Sequence, residues 1–219
     1  MSGSAVCSTH EEAAVSALAV IAWMGIMLMP GEAGSTAIQC MCAEAKQVNG
    51  WCERHAVGYV ASLPIHSRLL HETIDAHGHQ LDNSTFVCPV CRKAIENDGY
   101  CGEHNLGFVK GLAFFSRLTY ELARGERLEP MTLKCATCRK NAATSGWCPT
   151  DGVGMVGSVA IRDRMAWQVA ARKMETLLAA DQEAKRCEQC AVAMVTDGQC
   201  PFCRIDYKDG VRVKPAAVP

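Results

Sequence analysis

The sequence predicts a small α+β protein of four tandem repeats, each a β-hairpin pinned by a cluster of cysteines, with intervening helices and a hydrophobic helix at the N-terminus. Three observations support this fold class: 14 cysteines in 219 residues, an aromatic content of only 6%, and a cysteine spacing that recurs four times. So few aromatic side chains argue against one large apolar core. Small units with local stabilisation fit the composition better.

An uncharged segment, AAVSALAVIAWMGIMLMPG, occupies residues 13–31. Its length is close to the roughly 20 residues that a helix needs to cross a bilayer, so we expect a single membrane-spanning helix. Two glutamates precede it, and the basic residues Lys46, Arg54 and Arg68 follow it, so we expect the bulk of the chain to lie in the cytoplasm. The alternatives are a signal peptide within residues 1–33, which would make the protein exported or periplasmic, and a buried helix.

Four segments share one register of cysteines. They are CMCAEAKQVNGWCERH (40–55), CPVCRKAIENDGYCGEH (88–104), CATCRKNAATSGWCPTD (135–151) and CEQCAVAMVTDGQCPFC (187–203). In each segment nine residues separate the second cysteine from the third, and the fourth candidate ligand stands three positions after the third cysteine. Such recurrence indicates four copies of one unit.

Each segment carries the ligand types of a tetrahedral metal site, because two short cysteine-containing turns can present four donors to one ion. The candidate ligands are Cys40, Cys42, Cys52 and His55; Cys88, Cys91, Cys101 and His104; Cys135, Cys138, Cys148 and Asp151; and Cys187, Cys190, Cys200 and Cys203. We expect three or four structural zinc ions per chain, and iron is a chemical alternative at the all-cysteine site. Disulfides are the competing interpretation.

Two of the four sites are irregular. Cys40 and Cys42 are one residue apart, where the other repeats have two residues between the paired cysteines. In the third repeat Asp151 replaces a histidine or cysteine, and closed structural zinc sites rarely use a carboxylate. A Cys₃Asp site, an emptied degenerate site, and an open position for a labile metal or small ligand all remain consistent with the third sequence.

The nine residues between cysteines suit a strand, a tight turn and a returning strand. The turn signals are Asn49-Gly50, Asp98-Gly99, Ser145-Gly146 and Asp197-Gly198, in which glycine would supply a positive φ. Beyond the fourth ligand the first three repeats share a glycine (Gly58, Gly107, Gly154) and an arginine (Arg68, Arg117, Arg164), so we expect a strand and then a helix.

The third of these helices carries an apolar stripe, which we interpret as core or as a contact between repeats: Trp167, Ala170, Ala171, Met174, Leu177 and Leu178. The predicted organisation is a tail (1–12), the hydrophobic helix (13–31), module 1 with helix and linker (32–86), module 2 with helix (87–133), module 3 with a long helix (134–186), module 4 (187–210) and a tail (211–219).

This ligand pattern resembles the zinc-ribbon class of domains, which shares its knuckles with rubredoxin-like iron sites. The resemblance covers residues 40–203 and selects no single named family. It implies a structural or interaction module.

The leading functional prediction is a membrane-anchored scaffold of zinc ribbons that contacts other, membrane-associated proteins. A metal-handling protein, acting as a sink, carrier or resistance factor for zinc, copper or related ions, is the alternative, because the connector histidines could also bind metal: His66, His71, His77 and His79. Electron transfer through iron is a third hypothesis. The net charge of −1 argues against nucleic acid as a partner.

We find no catalytic constellation. The segment HETID begins like a zinc-protease helix, but Asp75 stands where the second histidine would be required. Cys7 lies outside the four repeats, and we expect it to be a free thiol.

Overall fold

The computed structural model describes residues 40–213, and its first three repeats have the same order of elements: a helix, a short strand, a hairpin and a second helix. The first repeat consists of α1 (Cys42–Val48), β1 (Trp51–Cys52), β2 (Val57–Val60), β3 (Leu63–Ile65) and α2 (Arg68–Ile74). The second consists of α3 (Pro89–Glu96), β4 (Tyr100–Cys101), β5 (Leu106–Val109), β6 (Leu112–Phe114) and α4 (Arg117–Arg124).

The third and fourth repeats vary this plan. The third consists of β7 (Glu126–Arg127), α5 (Ala136–Ala142), β8 (Ser145–Cys148), β9 (Val153–Val156), β10 (Val159–Ile161) and α6 (Arg164–Ala184). The fourth consists of α7 (Glu188–Thr196), β11 (Asp206–Lys208) and β12 (Val211–Val213). The sheets are antiparallel, with orders β1-β2-β3, β4-β5-β6, β7-β10-β9-β8 and β11-β12. The α+β class and the small sheets are therefore as predicted.

The nine residues between cysteines hold a helix, and not the predicted hairpin. In the second repeat Cys88 is the N-cap residue of α3 and Pro89 its first residue, a favoured place for proline. Cys91 and Ala94 form the buried face, three residues apart. The hairpin instead follows the fourth ligand, as β2-β3, β5-β6, β9-β10 and β11-β12.

The predicted turns exist, but the positive φ falls on the residue before the glycine in three repeats. Asn49, Asp98 and Asp197 have φ values of 56°, 48° and 55°. Their side-chain oxygens accept the amides of the hairpin turn, as in the 2.7 Å bond from Lys110 N to Asp98 Oδ1. In the third repeat Ser145 takes no such role, and the carbonyl of Thr144 accepts the Gly157 amide at 3.0 Å.

The shared glycine and arginine meet in one stacked arrangement in each of the first three repeats. In the second repeat a Cβ at Gly107 would overlap the ring of Tyr120 on α4, so only glycine permits this contact. Arg117 begins α4, and its guanidinium lies 4.5 Å from the centre of the Tyr100 ring. The same stack comprises Trp51, Gly58, Arg68 and His71 in the first repeat and Trp147, Gly154, Arg164 and Trp167 in the third.

Helix α6 brings the repeats together in a shared core. Ala170, Met174 and Leu177 are fully buried, which confirms the predicted apolar stripe. The cluster that includes them draws residues from α2, α4 and α7 and from the hairpins of the first and third repeats. The four repeats therefore pack as one body over residues 40–213, and not as separate beads.

Polar contacts also join distant repeats. Asp181 of α6 is buried, and its carboxylate accepts the backbone amides of His66 and Ser67 at 2.7 and 2.9 Å, together with Nδ1–H of His66 at 2.8 Å. The first and third hairpins meet at their turns, where the Ser158 amide donates to the Ala61 carbonyl at 2.8 Å.

Several predictions concern chain ends or boundaries. The hydrophobic segment 13–31 and Cys7 lie outside the described residues. Within residues 40–213 no helix is both long enough and apolar enough to cross a membrane. The fourth hairpin continues to Val213, beyond the predicted module boundary at 210. The linker that was assigned to the first module packs against the second, because His79 forms an isolated antiparallel β-bridge with Ala113, next to β5.

Candidate metal centres

Each of the four predicted ligand sets converges at the same place in its repeat. The first two cysteines lie at the start of the first helix. The third cysteine ends a strand in the first three repeats and follows an isolated β-bridge at Gln199 in the fourth, and the fourth ligand lies three residues further along the chain. The four donor atoms of each set lie within 4.8 Å of one another. The chain thus has four cysteine-rich clusters that could each hold a metal ion, as expected for a zinc-binding repeat.

The spacing of the donors fits an ion at the centre of each cluster. A tetrahedral zinc with Zn–S distances of about 2.3 Å places sulfur ligands about 3.8 Å apart, and a sulfur and an imidazole nitrogen about 3.6 Å apart. In the fourth cluster Cys187 Sγ is 3.8 Å from Cys200 Sγ and 3.7 Å from Cys203 Sγ. These distances are far from a disulfide bond length of about 2.0 Å.

The second cluster has the same geometry with an imidazole. Nδ1 of His104 lies 3.4 Å from Cys91 Sγ and 3.5 Å from Cys101 Sγ. Cys91 and Cys101 are buried, whereas His104 is exposed at the rim. The cysteines of this cluster are free thiols, so the disulfide interpretation fails here.

The first cluster tolerates its shorter cysteine spacing. Nδ1 of His55 lies 3.1 Å from Cys42 Sγ, 3.5 Å from Cys52 Sγ and 3.7 Å from Cys40 Sγ. Cys40 differs from the other ligands because it is disulfide-bonded in the structure. It becomes a thiolate ligand only when that bond is reduced.

The third cluster gathers three thiols around a carboxylate. Asp151 Oδ2 lies 3.0 Å from Cys138 Sγ and 3.6 Å from Cys148 Sγ, and the sulfurs of Cys135 and Cys148 are 3.7 Å apart. Hydrogen bonds from Cys138 and Cys135 lower the pKa of Asp151 below its ordinary value. Burial, and then the contact with Asp151, raise the pKa of Cys138. The Asp151 carboxylate is therefore an ionised candidate ligand, and hydrogen bonds from the neighbouring thiols stabilise its negative charge.

Burial and local hydrogen bonds give the thiols within one cluster different pKa values. Burial, followed by the neighbouring Cys200 thiol, raises the pKa of Cys190 to about 12. Burial also acts to raise the pKa of Cys200, but hydrogen bonds led by the Cys203 amide outweigh it and lower this pKa to about 7. Because a metal binds thiolates, loading the cluster at neutral pH would release protons.

The connector histidines do not form a further cluster in the part of the chain that is described. His66 is bonded to Asp181, and the His71 ring donates to the Asn49 carbonyl at 2.9 Å. His77 and His79 both lie against Asp75, at 3.5 and 2.7 Å. The histidines considered for metal handling thus have partners within the fold, and none of these four belongs to a metal-binding group in residues 40–213.

Some residues that position the clusters were missed at the sequence level. The aromatic residue before the third cysteine, Trp51, Tyr100 or Trp147, fixes the strand that carries this ligand by stacking on the helix that follows the hairpin. Its recurrence is visible in the aligned repeats and could have been noted. The contacts of Asp181 leave no local signal, because their partners lie more than 110 residues away.

Comparison with family models, curated proteins and solved structures finds no match to this chain. The functional argument therefore depends on the four clusters and their surroundings.

Proposed function

We propose that this protein is a scaffold of four zinc-stapled repeats that contacts other proteins, with its metals in structural roles. The observation that carries the proposal is that the cysteines themselves make up much of each local core. In the fourth repeat the buried cluster consists of Cys190, Ala193, Cys200 and Tyr207. This local cluster is small, and structural zinc contributes about 10–16 kcal/mol of apparent binding energy near neutral pH, so an ion would supply much of the free energy that orders the ligand turns of the repeat.

The surface beside the clusters supports contact with proteins. Val87, Met131 and Phe202 are exposed apolar side chains close in sequence to the ligands, and Phe202 lies between two of them. Burial of such side chains under a partner protein would remove apolar surface from water, which favours association. The formal charge of −1 gives no electrostatic reason to prefer a polyanion.

The metal content of the full chain tests this proposal. We expect elemental analysis and native mass spectrometry of protein purified in detergent and reducing buffer to find three or four metals per chain, mostly zinc. Removal with a chelator should abolish the far-ultraviolet circular dichroism of the fold, and zinc should restore it. Chelator saturated with zinc beforehand is the control. A count of zero or one metal, or a fold that survives complete removal, would contradict the scaffold.

We also propose that residues 13–31 attach the chain to a membrane, with the repeats in the cytoplasm. The support is the uncharged run itself and the basic residues that follow it. The full chain should sediment with membranes and resist alkaline carbonate, whereas a variant without residues 13–31 should be soluble. Protease outside sealed cells should leave the repeats intact. Release by carbonate, or cleavage of the repeats from outside, would overturn the anchor or its orientation.

A further inference from the structure

The third cluster differs from the other three in its fourth ligand. Asp151 offers an oxygen donor from an exposed turn, whereas His55, His104 and Cys203 offer nitrogen or sulfur at the same place. Carboxylates are uncommon in closed structural zinc sites and are found where a ligand position is open to exchange.

A cleft of about 240 Å³ opens directly onto this cluster. Three of the four ligands line it: Cys135, Cys138 and Asp151. Its apolar wall includes Leu128 and Leu133 of the segment that leads into α5. A small molecule in the cleft would therefore touch the metal ligands without any rearrangement of the fold.

The second repeat shows why the cleft exists. A shift of 47 residues aligns the second repeat with the third, ligand for ligand. In the second repeat Phe86 and Phe108 meet edge to face, with ring centres 5.6 Å apart, in the same apolar cluster as the second set of cysteines. The third repeat has Leu133 and Met155 at these two places, which are smaller or more flexible side chains.

The aromatic pair packs in the apolar cluster beside the second set of ligands, whereas Leu133 and Met155, which replace it, line the cleft at the third set. The weak ligand and the open approach therefore occur together in one repeat.

Charged side chains of both signs line the cleft. Lys134 and Arg162 are its cations, whereas Asp151 and Glu126, which lies 3.9 Å from Arg162, are its carboxylates. The side chain of Lys134 or Arg162 could pair with the carboxylate of a small molecule that also carries a soft donor. A thiolate sulfur is the soft donor that zinc prefers over the Asp151 oxygen in such a site.

We propose that the third cluster is an exchangeable zinc site, whose ion enters and leaves through this cleft on a small anionic thiol that displaces Asp151. In the first step the incoming thiol loses its proton to solvent and its sulfur forms a Zn–S bond as the Zn–O bond to Asp151 breaks, and the carboxylate keeps its negative charge. The Zn–S bonds to Cys135, Cys138 and Cys148 then break as further thiolates or the chelator bind the ion, and the freed cysteines take up protons from solvent. No electron is transferred. The inference rests on the scaffold function, because the other three ions must hold the fold while this one exchanges.

The test follows zinc release from the fully loaded chain to a chromophoric chelator in reducing buffer, with glutathione as the small anionic thiol. One equivalent of zinc should leave on the order of tenfold or more faster than the others, and glutathione should accelerate this phase alone. The circular dichroism of the fold should persist after that phase.

Variants separate the ligand from the cleft. Asp151→His should move the fast equivalent into the slow phase. Leu133→Phe and, independently, Met155→Phe restore the side chains of the second repeat in the lining of the cleft and should slow the fast phase while Asp151 is retained. His104→Asp is the matched control, because it places the same ligand in the covered second repeat. Each variant is used only after four bound zinc ions and an unchanged fold are measured.

The possible results are distinct. If His104→Asp releases a second equivalent as fast as the third site, ligand type alone sets the rate and the cleft has no role, which overturns the proposal. A single release rate for all four ions, or three ions at saturation, also overturns it but leaves the scaffold intact. A chain that binds no metal removes both proposals.

Discussion

The absence of a side chain at Gly107 lets the Tyr120 ring lie directly on strand β5, next to the strand that ends in the ligand Cys101. A Cβ at this position would overlap the ring, and the ring cannot retreat because Tyr120 is buried and donates its hydroxyl to the Asp98 carbonyl at 2.8 Å. The position of a metal ligand thus depends on a residue that carries no functional group.

We therefore expect Gly107→Ala to destabilise the protein. Overpacking of this kind costs about 1–3 kcal/mol, which chemical denaturation of the zinc-loaded chain would measure. Gly102→Ala is the matched control, since a Cβ there meets no atom within 4 Å, and its effect should be within about 0.5 kcal/mol. Equal effects of the two substitutions would show that the stack with Tyr120 contributes nothing.

At the scale of the element, the ligands could be predicted from the sequence and the structure between them could not. The ligands of such a metal site lie at short, regular spacings in the sequence. The set Cys88, Cys91, Cys101 and His104 can therefore be recognised without knowledge of the fold. The nine residues between the cysteines are compatible with either a hairpin or a short helix followed by a turn. Burial of Ala94 under the sheet decides for the helix, and this packing is not visible in the spacing.

The second helices show the opposite case, in which local signals were sufficient. Ser67, Ser116 and Asp163 each accept an amide of the first turn, so the helix that begins with the shared arginine has a polar cap in all three repeats. The apolar stripe of α6 predicted a contact between repeats, and that contact exists. Its partners on α4 and α7 could not be identified from the sequence. Helical periodicity shows which face of a helix is apolar, but it does not show which elements pack against that face.

At the scale of the whole molecule, hydrogen bonds around Asp181 link the first repeat to the third and fourth. Its buried carboxylate on α6 binds the start of α2 in the first repeat, and Ser67 also donates to Glu188 of α7 in the fourth at 3.1 Å. Hydrogen bonds to a buried charged group are stronger than neutral ones, and a lost partner leaves buried amides unsatisfied.

Asp181→Asn removes this charge and should lower the free energy of unfolding by about 1–3 kcal/mol. The substitution should also separate unfolding of the first repeat from that of the rest, seen as an earlier loss of amide hydrogen-exchange protection in residues 57–74. Glu175→Gln on the exposed face of the same helix is the control and should leave both measurements unchanged. Uniform loss of protection across all repeats would argue against a specific tie.

The long helix α6 also bears on how such a chain can evolve. In an open array a repeat can be gained or lost at little cost, because each unit touches only its neighbours in sequence. Here one helix is covered by elements of the first, second and fourth repeats, and loss of any of them would leave part of its apolar side in water. The number of repeats is then constrained because the others all pack around helix α6. Relatives of this chain are therefore expected to vary in their loops and ligands while keeping four repeats.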